Sequence, residues 1–330
     1  LTVPPSRYYA AHANELPSPF KALQIGPVWR ADRPQKGRFR QFVQCDIDIL
    51  GDPSPLAETE LILATTTLLS KLDFKGFTVR INDRKILKAM ASWSGFEEES
   101  FDDIFIILDK MDKIGLEGVR DELKANGFAA DKVDRYLGLF EKITGDLDGI
   151  SFLRDELKDH LPDETARSLT MIISSVLDAK TAEFDIVFDP TLVRGMSYYT
   201  GTIFEIGMDE FGSSVAGGGR YDEMIGRFTG SRTPACGFSI GFERIITILL
   251  DRKFEVPTSS EKKAFLIEKG AGRELIAKVM KEATQLRENG VQVLVVQMNK
   301  NRKFQKEQLN KEGYSPENIK DFYCTEFKTD

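Results

Sequence analysis

The chain alternates between two kinds of sequence pattern. Residues 21–30 and 38–50 are rich in β-forming residues and flank a polar segment, which predicts an antiparallel hairpin. From Asp83 to about Lys180 the apolar residues recur at helical spacing, and β-rich sequence returns at about Ile186. The helical spacing is visible at Ile104, Ile107, Leu108 and Met111. This order predicts a β-rich domain that is interrupted by a helical insertion.

Shorter elements lie on both sides of the helical block. Residues 57–72 carry helical apolar spacing, and residues 77–83 are typical of a strand. Beyond the block, residues 200–207 and 213–220 are β-rich and are joined by a short turn-like segment. We therefore expect a second hairpin after the insertion.

The C-terminal segment follows a different order. After the polar residues 256–263 come the strand-like FLIEKG, a helix from about Arg273 to Asn289 and the strand-like VQVLVV. A strand, helix and strand in succession favour parallel pairing of the two strands. The segment is predicted to form a small α/β domain.

Composition excludes several classes of protein. The 330 residues are 41% hydrophobic and 29% charged, with no apolar run of membrane-spanning length and no N-terminal signal pattern. We expect a soluble intracellular protein.

The three cysteines are widely separated along the chain, and the chain has only two histidines, His12 and His160, which argues against a zinc cluster or a disulfide framework. The cysteines are Cys45, Cys236 and Cys324. A net charge of -7 argues against a general nucleic-acid coat.

Positive charge is nevertheless concentrated between the first two strands. Residues 30–42 contain five basic side chains and one acidic side chain. The basic side chains are Arg30, Arg33, Lys36, Arg38 and Arg40. Guanidinium groups match phosphate oxygens in a bidentate way, so this segment suits phosphate recognition. The alternative is a solvated basic turn.

The second strand separates its residues onto two faces. Alternation places Val43, Cys45, Ile47 and Ile49 towards a core. The opposite face carries Arg38, Arg40, Phe42, Gln44, Asp46 and Asp48. This mixed row suits the floor of a ligand site, although a solvated sheet face has the same pattern.

Three later stretches carry further candidate residues. In VRGMSYYTG, Arg194 precedes Tyr198 and Tyr199, and strand alternation would place the two tyrosines on opposite faces. In AGGGRYD, three glycines allow close approach of a ligand to the backbone but also mark bends. In GFSIGFERI, Arg244 falls in the first turn of a predicted helix, where an anionic ligand would offset its repulsion by the helix dipole.

Taken together, these stretches resemble the histidyl-tRNA synthetases, a branch of the class II aminoacyl-tRNA synthetases, over nearly the whole chain. GPVWRADRPQKGRFRQFVQCDIDILG resembles the family's motif 2, and RGMSYYTG is similar to the histidine-specific stretch RGLDYYTG. SVAGGGRYD resembles its glycine-rich partner, GFSIGFERI resembles motif 3, and LTVP resembles the end of the segment with the amino-group contact. The implied fold class is α+β: a class II antiparallel sheet flanked by helices, with a helical insertion and a C-terminal α/β domain.

The resemblance implies four segments. These are residues 1–83, the first part of the catalytic core with motif 2 but without the motif 1 region; 84–180, the helical insertion; 181–255, the rest of the core; and 262–330, an incomplete anticodon-binding-like domain. In this family the insertion clasps the tRNA acceptor arm. A basic helix face at Lys300, Arg302, Lys303 and Lys306 would suit RNA, or it is a solvated surface.

The implied activity joins histidine to ATP and then transfers the histidyl group to tRNA(His). ATP, accompanied by Mg²⁺, would be bound by Arg30 at the α-phosphate, Phe42 at the adenine, and Arg38 with Arg244 at the outer phosphates. Arg194 and Arg30 would be the catalytic residues, and no protein metal site is expected. Histidine would be surrounded by Thr2, Gln44, Asp48, Arg194, Tyr198, Tyr199 and Tyr221. The resemblance also implies a cytoplasmic homodimer with no membrane association.

Two departures and one rival reading accompany this assignment. Met196 and Ser197 replace the usual Leu-Asp, which puts any role of that acid in doubt. The chain starts at Leu1 in a strand-like pattern, and we expect a preceding segment to be missing. The rival reading is a non-catalytic synthetase-like regulatory subunit of ATP phosphoribosyltransferase, but such relatives tend to lose the charged residues of motif 2. A synthetase for another amino acid does not account for RGMSYYTG.

Overall fold

A computed structural model describes residues 1–31, 33, 39–194, 198–208, 213–251 and 261–324. Its strands are β1 Phe20–Trp29, β2 Gln41–Leu50, β3 Phe77–Asp83, β4 Asp185–Phe188, β5 Thr202–Met208, β6 Ser213–Arg220, β7 Ala235–Ile240, β8 Lys262–Ile267, β9 Gln292–Gln297 and β10 Ile319–Phe322. Its α-helices are α1 Val3–His12, α2 Leu56–Lys71, α3 Arg84–Trp93, α4 Phe101–Leu108, α5 Met111–Ala125, α6 Ala130–Phe140, α7 Leu147–Leu157, α8 Asp163–Ala179, α9 Asp222–Thr229, α10 Phe242–Asp251, α11 Arg273–Glu288 and α12 Arg302–Lys311.

The larger sheet has seven strands in the order β1-β2-β7-β6-β5-β3-β4. Neighbouring strands run antiparallel except β3 and β4, which are parallel. The predicted first hairpin is confirmed, because β1 and β2 pair from Phe20 opposite Leu50 to Trp29 opposite Gln41. The predicted second hairpin is confirmed by the pairing of β5 with β6. The α+β fold class follows from this mostly antiparallel sheet and its flanking helices.

The predicted helical block corresponds to α3 through α8, which lie between β3 and β4 in sequence. Apolar residues at helical spacing give each helix a buried side: Ile104 and Leu108 on α4, and Ile172 and Val176 on α8, are fully buried. Asp83 begins the block as the N-cap of α3, where its side chain accepts a hydrogen bond from Lys85 N at 2.7 Å.

The strand-like reading of the first residues is wrong, because Val3–His12 forms α1. Pro4 and Pro5 stand in the first turn of this helix, where the missing proline N–H costs nothing and the fixed φ suits the helix. Ala10 and Ala11, later in the helix, favour its continuation. Local propensity therefore decides this segment.

The C-terminal segment forms a three-stranded sheet in the order β10-β8-β9. The predicted parallel pairing of β8 with β9 is confirmed, and β10, which was not predicted, pairs in parallel with β8. Helix α11 connects β8 to β9 and packs against α8 and α2 of the larger part of the molecule. Apolar residues of the C-terminal part, including Phe265 and Met280, belong to the same continuous core as the apolar residues of the larger part. Within the described part of the chain, no helix is long and apolar enough to cross a membrane.

Candidate active site

One face of the larger sheet carries a cleft of about 280 Å³. The cleft is bounded by β2, β6 and β7 and by the start of α10, and its lining includes Arg30, Phe42, Arg194 and Arg244. Three guanidinium groups that are distant in sequence therefore share one cavity. Arg38, the remaining predicted phosphate contact, and Met196 and Ser197 lie outside the described residues.

Arg194 is held against the sheet floor by two neighbours. Its Nε donates to the Glu205 carboxylate of β5, and its Nη2 donates to Ser214 Oγ of β6 at 3.1 Å. The guanidinium lies directly across Gly217, since a Cβ at that position would stand 2.2 Å from Nη1. The glycine run was predicted to admit a ligand or mark a bend, and at Gly217 it admits this arginine.

Arg244 lies in the first turn of α10, as the sequence predicted. Its Nη1 donates to the main-chain oxygen of Ser214 at 2.7 Å, which partly offsets the unfavourable position of a cation at this end of a helix. The adjacent Glu243 accepts a hydrogen bond from Val43 N at 2.9 Å and ties α10 to β2. Arg194 and Arg244 thus both bond Ser214, which brings the two cations to the same side of the cleft.

Arg30 and Phe42 face each other across the first hairpin. The Arg30 guanidinium carbon lies 4.2 Å from the centre of the Phe42 ring, a distance typical of a cation–π contact. An aromatic ring placed beside a cation suits a ligand that carries both a flat base and phosphates.

A smaller pocket of about 40 Å³ adjoins the cleft. Its lining contains six of the seven residues predicted to surround histidine, and Arg194 lies in the adjoining cleft. The six are Thr2, Gln44, Asp48, Tyr198, Tyr199 and Tyr221. Gln44 and Ser239 line both cavities, and Gln44 Nε2 donates to Ser239 Oγ at 2.7 Å. The two cavities are neighbouring compartments of one site.

Asp48 is buried at the base of the small pocket. Tyr221 Oη donates to its Oδ1 at 2.5 Å, and Gln24 Nε2 donates to its Oδ2 at 2.8 Å. Burial raises the pKa of Asp48 to about 6, although both hydrogen bonds oppose the shift. Gly237 of β7 makes room for the carboxylate, since a Cβ there would lie 2.1 Å from Asp48 Oδ1.

The prediction that Tyr198 and Tyr199 face opposite sides is wrong. The described residues around them adopt no strand, so alternation does not apply. Their ring centres are 4.3 Å apart, and the Tyr198 ring also lies 6.3 Å from that of Tyr221. Both tyrosines line the small pocket.

The alternative of a solvated sheet face is also contradicted. Asp46 and Asp48 are only 4% and 3% exposed, so the inner end of this row of β2 is a covered floor, whereas Arg40 at the outer end is exposed. Arg220, beside the glycine run, serves another purpose: its Nε and Nη2 donate to Glu58 at 2.6 and 2.7 Å on the other side of the sheet. It is a buried structural cation.

Sequence reasoning missed several residues of the site. Gln24, Ser239, Glu205 and Ser214 orient the predicted residues, and Asp46 lines the small pocket itself. The sequence placed Asp46 in the floor row of β2 with Gln44 and Asp48 but gave it no binding role. The others come from partner strands whose register is set only on folding. Among the described residues, no group of three or more His, Cys, Asp or Glu side chains is arranged to hold a metal ion.

The family model for Histidyl-tRNA synthetase matches residues 1–245. Two curated relatives named histidine--tRNA ligase are similar to the chain. The one from Leifsonia xyli subsp. xyli is 49% identical, and the match covers 79% of this chain and 60% of the relative. The one from Aeropyrum pernix is 42% identical, and the match covers 74% of this chain and 55% of the relative. The chain thus spans about 60% of the length of the first of these relatives.

Solved structures give the same picture. The chain is similar to the histidyl-tRNA synthetase from Nostoc sp. PCC 7120, with a TM-score of 0.67 and 28% identity over 95% of this chain and 73% of that one. A Bacillus halodurans protein described as an ATP phosphoribosyltransferase regulatory subunit/histidyl-tRNA synthetase has a TM-score of 0.64 at 22% identity, covering 97% of this chain and 77% of that one. The second likeness concerns the fold alone.

Proposed function

Because the chain belongs to the histidyl-tRNA synthetase family, we propose that it acts as a histidine–tRNA ligase. In the first step histidine and ATP form histidyl-adenylate and pyrophosphate. In the second step the histidyl group passes to the 3' end of tRNA(His). The proposal rests above all on the convergence of Arg30, Arg194 and Arg244 on a cleft that opens into the small tyrosine-lined pocket.

The two compartments suit the two substrates of the first step. ATP would occupy the cleft, with its phosphates among the guanidinium groups and its adenine on Phe42. Arg30 would bind the α-phosphate, and Arg38 with Arg244 would bind the outer phosphates. Histidine would occupy the small pocket, so that its carboxylate points through the junction at Gln44 towards the α-phosphate.

Chemistry at the junction requires two anions to approach each other. A carboxylate oxygen of histidine attacks the α-phosphorus, the bond from that phosphorus to the oxygen bridging it to the β-phosphate breaks, and pyrophosphate leaves. Negative charge increases on the oxygens of the five-coordinate phosphorus, and a fixed guanidinium stabilises it. Arg194 is fixed in this way by Glu205 and Ser214, and Arg30 would act from the opposite hairpin.

Recognition of histidine would depend on the buried polar groups of the small pocket. An imidazole needs a donor and an acceptor at the same time, and a site built for both rejects side chains that lack them. Asp48 with Tyr221, and the neighbouring Tyr198 and Tyr199, offer such groups. Thr2 and Gln44 would contact the main-chain atoms of the amino acid.

Mg²⁺ would accompany ATP. The cation would be bound largely by phosphate oxygens, which is its usual mode in nucleotide sites. Bound there, it would neutralise charge on the departing pyrophosphate. The cleft fits the MgATP complex because its described lining supplies three guanidinium groups for the remaining phosphate charge.

The remaining assignments extend the proposal to the whole protein. The helical segment 84–180 would contact the tRNA acceptor arm, the C-terminal unit 262–330 would be anticodon-binding-like, and the protein would be cytoplasmic. A homodimer is supported by an apolar row on β1, in which Leu23, Ile25 and Trp29 are 66%, 58% and 68% exposed. A row of this kind marks an interaction surface.

Histidine-dependent exchange of pyrophosphate into ATP tests the proposal. The full chain should catalyse exchange with histidine and with none of the other standard amino acids. Absence of exchange with histidine, together with retained ATP binding, would favour the regulatory-subunit reading, which the ligase names of the curated relatives do not favour. Exchange with a different amino acid would overturn the assignment of the small pocket.

A further inference from the structure

We propose that Arg80 of β3 is a positioning residue for adenylate formation and that it couples Arg194 to the helical block α3–α8. This inference rests on the proposed function, because it concerns the rate of that reaction. Arg80 lines neither the cleft nor the small pocket. Its role is to hold two other segments in place beside Arg194.

The strand register places Arg80 next to the partner of Arg194. Arg80 lies directly opposite Glu205 in the pairing of β3 with β5, and Glu205 lies opposite Gly217 in the pairing of β5 with β6. Residues directly opposite each other in an antiparallel pair share one face of the sheet. Arg194 crosses this face at Gly217 and bonds Glu205. Arg80, Glu205 and Arg194 therefore form one row across the larger sheet.

One side of the Arg80 guanidinium holds the turn that leads into Arg194. Its Nε donates to the Asp189 carboxylate, and its Nη2 donates to Thr191 Oγ1 at 3.4 Å. Asp189 Oδ1 in turn accepts from Thr191 N at 2.8 Å and from Thr191 Oγ1 at 2.7 Å, which closes the turn. Because Arg194 follows Thr191 by three residues, the position of this turn limits the position of Arg194.

The other side of the same guanidinium holds the helical block. Its Nη1 donates to Asp112 Oδ2 at 2.7 Å, and its Nη2 donates to Asp112 Oδ1 at 3.3 Å. Asp112 lies in the first turn of α5. Two parallel bonds between a guanidinium and a carboxylate define both their distance and their orientation. A shift of α5 relative to the sheet therefore displaces Arg80, and with it the turn that precedes Arg194.

Electrostatic interactions at the start of α5 support this coupling. Partial burial raises the pKa of Asp109, which lies between α4 and α5, and the charges of Glu205 and Asp112 add to the rise. The charges of Lys113 and Arg194 lower this pKa. The start of α5 is thus within electrostatic reach of the pair that Arg194 forms with Glu205.

The alternative is that Arg80 contributes only to folding. The segment before Arg194 has other bonds to β3, however: Asp189 N donates to Ile81 O at 2.9 Å, and Asn82 Nδ2 donates to Leu192 O at 3.2 Å. These bonds should keep the segment folded without Arg80. A positioning role predicts a lower kcat with little change in KM, whereas a purely structural role leaves the kinetic constants of the folded protein unchanged.

The experiment measures histidine-dependent pyrophosphate exchange by the full chain and its variants. Arg80→Ala should lower kcat by roughly 10- to 100-fold, the range expected for a small displacement of a catalytic group, and should leave KM for ATP and histidine within about 3-fold. Arg80→Lys should recover only part of the loss, because an ammonium group keeps the charge but lacks the fork that holds two carboxylates.

The partner on α5 gives a second, independent variant. Asp112→Asn should lower kcat by about 3-fold, a small effect because the Asp112 side chain is 64% exposed. In the Arg80→Ala background the same substitution should cause no further loss, since the two residues act through one contact. Arg273→Gln is the matched control: Arg273 of α11 bonds Asp178 of α8 at 2.8 Å and also ties the helical block to another part of the molecule, but away from Arg194. It should leave kcat unchanged.

An unchanged kcat in Arg80→Ala, or additive losses from Arg80→Ala and Asp112→Asn, would overturn the inference and leave the proposed function intact. If the unaltered chain catalyses no histidine-dependent exchange, the proposed function fails and this inference fails with it. Circular dichroism melting shows whether Arg80→Ala is folded. If it is not, Asp112→Asn decides the matter, and an unchanged kcat in that variant would overturn the coupling.

Discussion

At Gly217 a single hydrogen atom in place of a side chain determines where a guanidinium can lie. Arg194 crosses this position, and the nearest guanidinium atom would be 2.2 Å from an added Cβ. Arg194 also bonds Glu205 and Ser214, so it cannot move aside without losing these partners. The glycine is therefore part of the site, although it contributes no functional group.

Gly217→Ala should displace Arg194 and slow adenylate formation by about 10²-fold, much as Arg194→Ala should, with a far smaller effect on ATP affinity. The readouts are histidine-dependent pyrophosphate exchange and equilibrium binding of ATP. Gly207→Ala is the matched control in the neighbouring strand β5, since the nearest atom to its added Cβ is 4.0 Å away. Near-normal exchange by Gly217→Ala would contradict the placement of Arg194.

Asp83 makes stability depend on pH. Burial raises its pKa from 3.8 to about 6, and the nearby charge of Glu58 adds to the rise. The hydrogen bond from Lys85 N, the charge of Lys85 and the hydrogen bond from Thr202 lower the pKa and offset part of this shift. Because the folded state holds this proton more tightly than the unfolded state, its contribution is present below pH 4 and is lost as pH rises through 6. The pKa of Asp48 is also raised to about 6, so Asp48 contributes a second loss of stability as pH rises.

Asp83→Asn should remove about 1 kcal/mol of the stability difference between pH 5 and pH 7.5, because Asn caps a helix nearly as well but does not titrate. Urea unfolding of both proteins at the two pH values measures the difference. The unaltered chain should lose stability towards pH 7.5 more steeply than the variant. Parallel pH profiles would show that Asp83 does not titrate in this range.

The site residues illustrate what local sequence can and cannot predict. Alternation along β2 placed Gln44 and Asp48 on one face, since strand periodicity depends on the backbone alone. The same rule was wrong at Tyr198 and Tyr199, because those residues do not lie in a strand. The partners Gln24 and Ser239 depend on strand register, and register is a property of the assembled sheet.

Among the elements, β1 is an edge strand of the larger sheet and exposes an apolar row. Ile25 lies opposite Cys45 in the register, so the row is on the face of the sheet opposite the ligand cleft. The other face of β1 carries Gln24, which bonds Asp48. One face of the strand thus serves the site, and the other remains available to a second subunit.

Ile25→Lys should convert the proposed homodimer to monomer, because a charge placed in an apolar interface is costly to desolvate. Sedimentation equilibrium of the full chain measures the change. Ile106→Lys on α4 is the control, since Ile106 is 44% exposed and lies outside the apolar row. A dimer that survives Ile25→Lys would place the interface elsewhere.

The elements that the sequence predicted well are those with a long periodic pattern. The β1–β2 hairpin, the helical block from α3 to α8 and the parallel strands β8 and β9 were all predicted, because each pattern extends over several turns or pleats. The sequence does not predict helix α1, because its apolar residues show little helical periodicity and two prolines stand in its first turn. The parallel pairing of β4 with β3 was also missed, because four residues carry too little periodicity.

At the scale of the whole molecule, Glu60 on α2 joins the larger sheet to the C-terminal unit. Lys21 Nζ of β1 lies 2.5 Å from Glu60 Oε2, and Arg287 Nη2 of α11 lies 3.4 Å from Glu60 Oε1. The same two cations donate to the main-chain oxygens of Val295 and Val293 on β9. Burial lowers the pKa of Lys21, and the Glu60 charge opposes that shift.

Glu60→Gln should therefore destabilise the contact between the two units, because it removes the ion-pair partner of two half-buried cations, Lys21 and Arg287. Removing one partner of a buried ion pair costs about 3–5 kcal/mol, whereas a surface pair contributes less than about 1 kcal/mol.

We expect a single calorimetric transition in the unaltered chain. In the variant we expect a separate transition of the C-terminal unit at a lower temperature. Glu282→Gln is the matched control, since its partner Lys320 lies 2.6 Å away on the surface of the same unit, and it should leave one transition. One unchanged transition in Glu60→Gln would mean that the shared apolar core, which includes Phe265 and Met280, is sufficient to couple the units without the ion pairs.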